Sequence, residues 1–265
     1  MQGKNKPTIG ISCLHFAWNC LDEAFLRCTD EFSFDILELS TNVISAQNIA
    51  EIASLQSKYN LLLSLHGWED LPQLGVDEGI KYALDLLNMC TQIKANYLIL
   101  HFGTHKNREK GLQILRKILL NVSSIYAKSN VKLCLENHYP YEYHSLNELG
   151  SIPEDFLTVI DGIDSNGIGF CLDYGHANMS NNLCSFLQTI GRMISYVHIA
   201  DNMGYDDDHL AYGEGNIDWD MAFNATIKLG FSGPFVIEFP ESRGRCYIDQ
   251  CTKKIRNIYE THHIF

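Results

Sequence analysis

The chain has 265 residues, 46% hydrophobic and 20% charged, with 6 prolines and no low-complexity tract. That composition describes a globular protein with a substantial core and excludes a disordered one. Against 32 Asp and Glu stand 20 Lys and Arg, a net charge of -12, so the average surface repels phosphate backbones and anionic membranes, and neither nucleic-acid nor membrane partners are expected.

The opening stretch, MQGKNKPTIGIS, lacks the apolar core of a signal peptide, and no segment approaches a membrane span, which makes cytoplasm the expected compartment. The 9 cysteines include no CxxC pair. They suggest neither a zinc knuckle nor a complete disulfide framework and fit a reducing environment.

Eight short runs rich in apolar and β-branched residues follow in chain order: TIGISCL from Thr8, FDILELS from Phe34, NLLLSLHG from Asn60, NYLILHFG from Asn96, VKLCLENH from Val131, GIGFCLDYGH from Gly167, ISYVHIAD from Ile194 and GPFVIEFP from Gly233. Longer amphipathic segments separate them, the alternation of parallel βα units. In one, Ile80, Leu84, Leu87 and Met89 approximate an apolar stripe; in another the stripe is Leu112, Leu115, Leu119, Val122 and Tyr126. Eight such units close a (β/α)8 TIM barrel, which usually takes about 250 residues. A doubly wound open sheet is the competitor, but no GxGxxG follows the first run. An α/β barrel as a single domain over residues 1–265 is therefore expected.

The ionisable residues cluster near the C-terminal ends of these runs: Glu38, His66, His101, Glu136, Asp173, His198 and Glu238. In a closed parallel barrel those ends converge on the rim that carries active sites. One strand-end acid commonly caps the next helix, a role open to Asp173 ahead of YGH. Three carboxylates on the fifth, sixth and eighth runs, Glu136, Asp173 and Glu238, would repel one another unless a cation sits among them. With His198 they make an oxygen-rich set suited to a divalent ion such as Mn2+, Zn2+, Co2+ or Mg2+. After the seventh run, DNMGYDDDHLAYGEGNIDW forms a long acidic loop, in which Asp207 and His209 can turn inward and join His176, while Asp206 and Asp208 read as solvated.

The segments LENH, CLDYGHAN and VHIADNMGYDDDHLAYGEGNIDW resemble the xylose isomerase-like TIM barrel superfamily, which contains sugar epimerases, inosose dehydratase-like proteins and endonuclease IV-type abasic-site nucleases. The resemblance implies that Glu136, Asp173, His198 and Glu238 hold one catalytic divalent ion, Mn2+ or Zn2+ first, Co2+ or Mg2+ otherwise. It also implies that Glu136 and Glu238 remove and return a proton beside a substrate carbonyl through an enediolate, in a metal-dependent isomerase or epimerase of a sugar, sugar phosphate or polyol. Which glutamate is the base stays open, as does dehydration of the inosose type.

A larger set, His66, His101, Glu136, Asp173, His176, His198, Asp207, His209 and Glu238, is similar to the ligands of the nuclease branch, where up to three ions bind. IADNMG and DYGH depart from that branch's patterns, and the net charge lacks a duplex-binding footprint. Sugar chemistry is thus the expectation, with the extra histidines holding substrate hydroxyls.

Trp18, with Phe16, and Trp68 are candidates to wall the pocket, and Glu38 to bind a substrate hydroxyl or a neighbouring histidine. Arg243 reads either as a phosphate or carboxylate binder or as an ordinary surface arginine. The expected partner is a small sugar or polyol, and the resemblance allows a homodimer.

Overall fold

The computed structural model describes residues 6–13, 21–140, 142–143, 145–163 and 166–263. Eight parallel strands close on themselves: β1 Thr8–Ser12, β2 Ile36–Ser40, β3 Leu62–Gly67, β4 Tyr97–His101, β5 Lys132–Glu136, β6 Ile168–Asp173, β7 Ile194–Ile199 and β8 Pro234–Ile237, with β8 pairing back onto β1. Each falls within one of the eight apolar runs, and helices follow the strands as in a (β/α)8 barrel. Closure demands close backbone approach at β1 and β2: a Cβ on Gly10 would lie 2.1 Å from the Ile36 carbonyl oxygen, so only glycine fits.

In the outer ring, the helix Arg108–Lys128 buries Leu112, Leu115, Leu119, Val122 and Tyr126 as its sequence predicts. Asn107 caps it, the side chain accepting from Lys110 N at 2.8 Å. The helix Val76–Ile93 is rotated from expectation. It buries Gly79, Ala83, Leu86, Leu87, Cys90 and Ile93, and of the expected stripe only Leu87 is buried. Small residues make the closest contact here: a Cβ on Gly79 would meet Ile118 Cδ1 at 2.4 Å. Reading only large side chains misplaces the stripe by most of a quarter turn.

Inside the barrel, side-chain alternation sets two layers. Ile36, Ile99, Cys134, Cys171, Tyr196 and Val236 form a closed inner cluster. Two residues further along each strand, on the same face and one layer higher, stand Glu38, His101, Glu136, Asp173, His198 and Glu238. The period of 2 thus carries these six strands from an inner floor to an ionisable layer at the C-terminal rim.

A small antiparallel sheet of Thr104–His105, Leu146–Glu148 and Glu142–Tyr143, invisible in the sequence pattern, lies outside the barrel sheet. The described cysteines are all free. No helix among the described residues is long and apolar enough to cross a membrane.

Candidate metal centre

Glu136 ends β5, Asp173 ends β6, His198 is the fifth residue of β7 and Glu238 directly follows β8. One ligand atom from each lies within 4.8 Å of all the others. Ligands on opposite sides of an ion with bonds of 2.0–2.2 Å stand about 4.4 Å apart, so this shell has the size of one divalent ion. His198 Nδ1 is 3.0 Å from Glu136 Oε1 and 3.4 Å from Glu238 Oε2, spacings that ligands of one ion also have. All four side chains are buried. Three carboxylates enclosed together are unstable without compensating positive charge, and the donor set of hard oxygens plus one imidazole fits a divalent cation.

The protonation of the cage tells the same story. Burial opposes ionisation of Glu136, yet His198 and His101 hold its carboxyl well below the usual carboxylate range. Burial pushes Glu238 up to about 7, His198 opposing and Glu136 adding to the rise. Burial also raises Asp173, against the pull of His176. His198 is raised well above a normal imidazole, because the acids around it, Glu238, Glu38 and Glu136 among them, outweigh its burial. Left to themselves, the groups gather protons where a cation would serve.

Glu38 stands behind His198, fully enclosed. Its Oε2 accepts from Tyr196 OH at 2.8 Å and faces His198 Nε2 at 3.0 Å, and Tyr196 OH is 2.6 Å from Ser64 Oγ. Of the two roles expected for Glu38, its contacts are those of the partner to a histidine. A carboxylate facing Nε2 favours the proton there and turns Nδ1 toward the cage, an arrangement common behind metal-bound histidines.

Further histidines line the cavity. His66 Nε2 is 3.2 Å from Glu136 Oε2, and His101 Nε2 is 3.6 Å from the same oxygen. These three offer a second set of ligand atoms within 4.8 Å of one another. His66 Nδ1 and Glu38 Oε1 are buried polar atoms with no hydrogen-bond partner. His176 sits in the first turn of the helix Tyr174–Met179, which Asp173 caps, its Oδ1 accepting from His176 N at 2.6 Å. Asp173 therefore caps the helix while also standing in the four-residue cluster. His176 Nε2 and His209 Nε2 each lie 3.4 Å from Asp207 Oδ2. His209 Nδ1 is 2.8 Å from the Glu238 carbonyl oxygen, which ties the long loop to the end of β8. Burial works against the charge on His176, but Asp173 and Asp207 raise it to about 10.

Trp68 stands on the rim with its ring 5.0 Å from His66 and its Nε1 donating to Ser40 Oγ at 2.8 Å. Trp18, like Phe16, lies outside the described residues. Arg243 is no free anion binder: Nη1 meets Glu214 Oε2 at 3.1 Å and Nη2 donates to the Asp208 carbonyl at 3.4 Å. Of its two readings the surface one stands, because loop acids close enough to neutralise it are invisible in linear sequence.

Three functional neighbours were missed. Asn137 joins β5 to β6, donating from Nδ2 to the Asp173 carbonyl at 3.0 Å and accepting from Asp173 N at 2.8 Å, while its own carbonyl faces His176 Nδ1 at 2.9 Å. His138 packs its ring 4.5 Å from His176 and 5.2 Å from His101. Burial, then the charge of His176, pushes its imidazole down to about 4. Tyr196 bridges Ser64 and Glu38 in the floor. The signal for the first two is their place directly after Glu136 in LENH; for Tyr196 it is the alternation with His198.

A family model described as xylose isomerase-like TIM barrel matches residues 28–258. An uncharacterized protein of Methanocaldococcus jannaschii is 29% identical over 248 residues, 86% of this chain and 82% of that one. Among solved structures, a D-tagatose 3-epimerase-like protein superposes with a TM-score of 0.80 at 24% identity, covering 97% of this chain and 100% of the other. An IolI protein with a binding zinc atom superposes at 0.73 and 17% identity, covering 97% and 99%.

Proposed function

The chain belongs to the xylose isomerase-like TIM barrel family, and from that premise we propose that it is a divalent-metal-dependent sugar isomerase or epimerase acting by proton transfer next to a carbonyl. The observation that carries this reading is the cage of Glu136, Asp173, His198 and Glu238, with ligand atoms all within 4.8 Å. Two of its four members are glutamates that arrive from strands three apart in the barrel order.

Glu136, Asp173, His198 and Glu238 would hold a divalent ion, which would supply positive charge for an oxyanion developing on the substrate. One of Glu136 and Glu238 takes the carbon-bound proton, leaving an enediolate, and the other returns a proton. His66 and His198 hold Glu136 in place through contacts of 3.2 and 3.0 Å. His101 lines the cavity beside the cage. His176 and His209, whose ring nitrogens are taken by Asp207 and by backbone carbonyls, fix Asp207 at its edge, and Trp68 shields the mouth of the cavity from water. Glu38 keeps His198 in the tautomer that presents Nδ1 upward.

Exchange of substrate carbon-bound hydrogen with deuterated solvent, across a panel of ketoses and on metal-loaded protein, tests the reading. Glu136→Gln and Glu238→Gln are each expected to abolish exchange and lower bound metal. Both variants retaining exchange and full metal content would overturn it. The same panel separates epimerisation from elimination of a β-hydroxyl, the inosose-dehydratase outcome, by the product formed.

A second reading, a multi-zinc phosphodiesterase of the abasic-site type, is supported by the extra ligand set His66, His101 and Glu136. Incision of an abasic duplex in Zn2+ is its test, and no cleavage at high protein excess removes it.

A further inference from the structure

A groove of about 240 Å³ opens beside the cage, lined by Tyr139, Met179, Tyr205, Asp206 and Asp207 among others. It abuts the site at two points. Asp207 lines the groove and also lies 3.4 Å from the Nε2 atoms of His176 and His209, and the Tyr139 ring is 5.5 Å from the His176 ring. Pockets that enclose drug-sized ligands run to about 300–1,000 Å³, so this space takes one ring-sized group.

Its chemistry is specific. Tyr205 is 70% exposed at the rim, an aromatic face open to solvent unless a ligand covers it. The neighbouring carboxylates accept hydrogen bonds from hydroxyls and repel anions. None of the described lining residues is Lys or Arg. The guanidinium groups at this end are held elsewhere: Arg243 by Glu214, and Arg108 by Asp155 and the Glu148 carbonyl. A cavity that does carry cations, with Lys132 and Arg192 in its lining, lies at the opposite end of the strands.

We propose that the groove is a subsite for a second, uncharged sugar ring, so that the substrate is a neutral glycoside of the reacting sugar rather than a sugar phosphate. The proposal rests on the sugar-isomerase reading of the cage and fixes its substrate class. The reacting unit sits over Glu136 and Glu238, and the second ring packs a C–H face on Tyr205 while its hydroxyls donate to Asp206 and Asp207.

Calorimetric binding to zinc-loaded protein tests it with three probes: fructose, fructose 6-phosphate, and isomaltulose, a glucosyl-fructose with a free ketose end. The expected order is isomaltulose at least tenfold tighter than fructose, and fructose 6-phosphate weaker than both. Tyr205→Ala is expected to remove most of the disaccharide's advantage, read as the ratio of the two affinities. Equal affinity for fructose and isomaltulose, preference for the phosphate, or an advantage that survives Tyr205→Ala combined with Tyr139→Ala would each overturn the proposal. Binding is read independently of turnover: the expected order without any hydrogen exchange would sink the catalytic reading alone, and exchange on fructose without the order would sink the subsite alone.

Discussion

His198 and Glu38 are joined in the closed interior of the barrel, Nε2 to Oε2 at 3.0 Å, while the other ring nitrogen of His198 faces Glu136 at 3.0 Å. One imidazole thus links a carboxylate that no solvent reaches to the acids of the cage. Second partners of this kind orient a ligand and raise its basicity. Glu38→Gln keeps the volume and removes the charge, and is expected to weaken divalent-metal affinity about 10–100-fold. Competition with a chelator measures it, and unchanged affinity would show that the contact is only structural.

Asn137 clamps the ends of β5 and β6 through its paired hydrogen bonds to the Asp173 backbone, at 2.8 and 3.0 Å. Asn137→Ala leaves the buried Asp173 N–H without its acceptor, at about 1–3 kcal/mol, and takes a donor from the Asp173 carbonyl. Urea denaturation of the variant is expected to show a loss of about 1–3 kcal/mol on that basis, together with weaker metal binding because Asp173 loses its fixed backbone. A stability change under 0.5 kcal/mol, within the range of ordinary surface substitutions, would contradict the clamp.

Asp201 organises the long loop after β7. It is fully buried and accepts from the backbone of Gly213 at 2.9 Å and from Trp219 Nε1 at 2.9 Å. Gly215 packs against it so closely that a Cβ would stand 2.2 Å from Asp201 Oδ1 and 2.3 Å from the Asn202 carbonyl oxygen. Gly215→Ala and Asp201→Ala should both speed amide hydrogen exchange across residues 202–218, because each removes the same anchor. Protection equal to wild type in either variant would show that Asp207 and His209 are positioned by something else.

Glu148 gives the fold a pH dependence. Burial, then the charge of Asp70, pushes its carboxyl up to about 8. The folded state therefore keeps a proton that the unfolded chain releases near the ordinary carboxyl value, and stability falls as pH rises from about 4.5 toward 8, by at most about 1.4 kcal/mol per pH unit. Metal-free protein unfolded by urea at pH 5.5 and at pH 8 should show the decline, and Glu148→Gln should reduce it. His138, whose Nδ1 is 3.6 Å from Glu148 Oε1, does not oppose this near pH 6, since it is then neutral. An identical pH profile in the variant would refute the assignment.

The barrel was legible because its signal is local. Each of the eight runs needs only a few neighbouring apolar residues to be seen, and the ionisable residue near its end needs only the strand's own alternation. Strand ends convert chain position into depth, so Glu136, Asp173, His198 and Glu238 could be grouped before any contact was known. The helix Val76–Ile93 shows the limit of that reading, since its buried face is set by where Ile118 of a neighbouring helix leaves room only for Gly79.

Sequence by itself determined the strand count, the order of the ionisable layer and which acids share it, because periodicity and charge type are properties of short segments. Tertiary structure alone decided what each group faces. It assigned Glu38 to His198, and Asn137 to the join between β5 and β6. It gave Arg243 to Glu214 and opened the groove beside Asp207. Those pairings join residues distant in the chain, and burial and charge compensation act through space, where a one-dimensional pattern carries no distance.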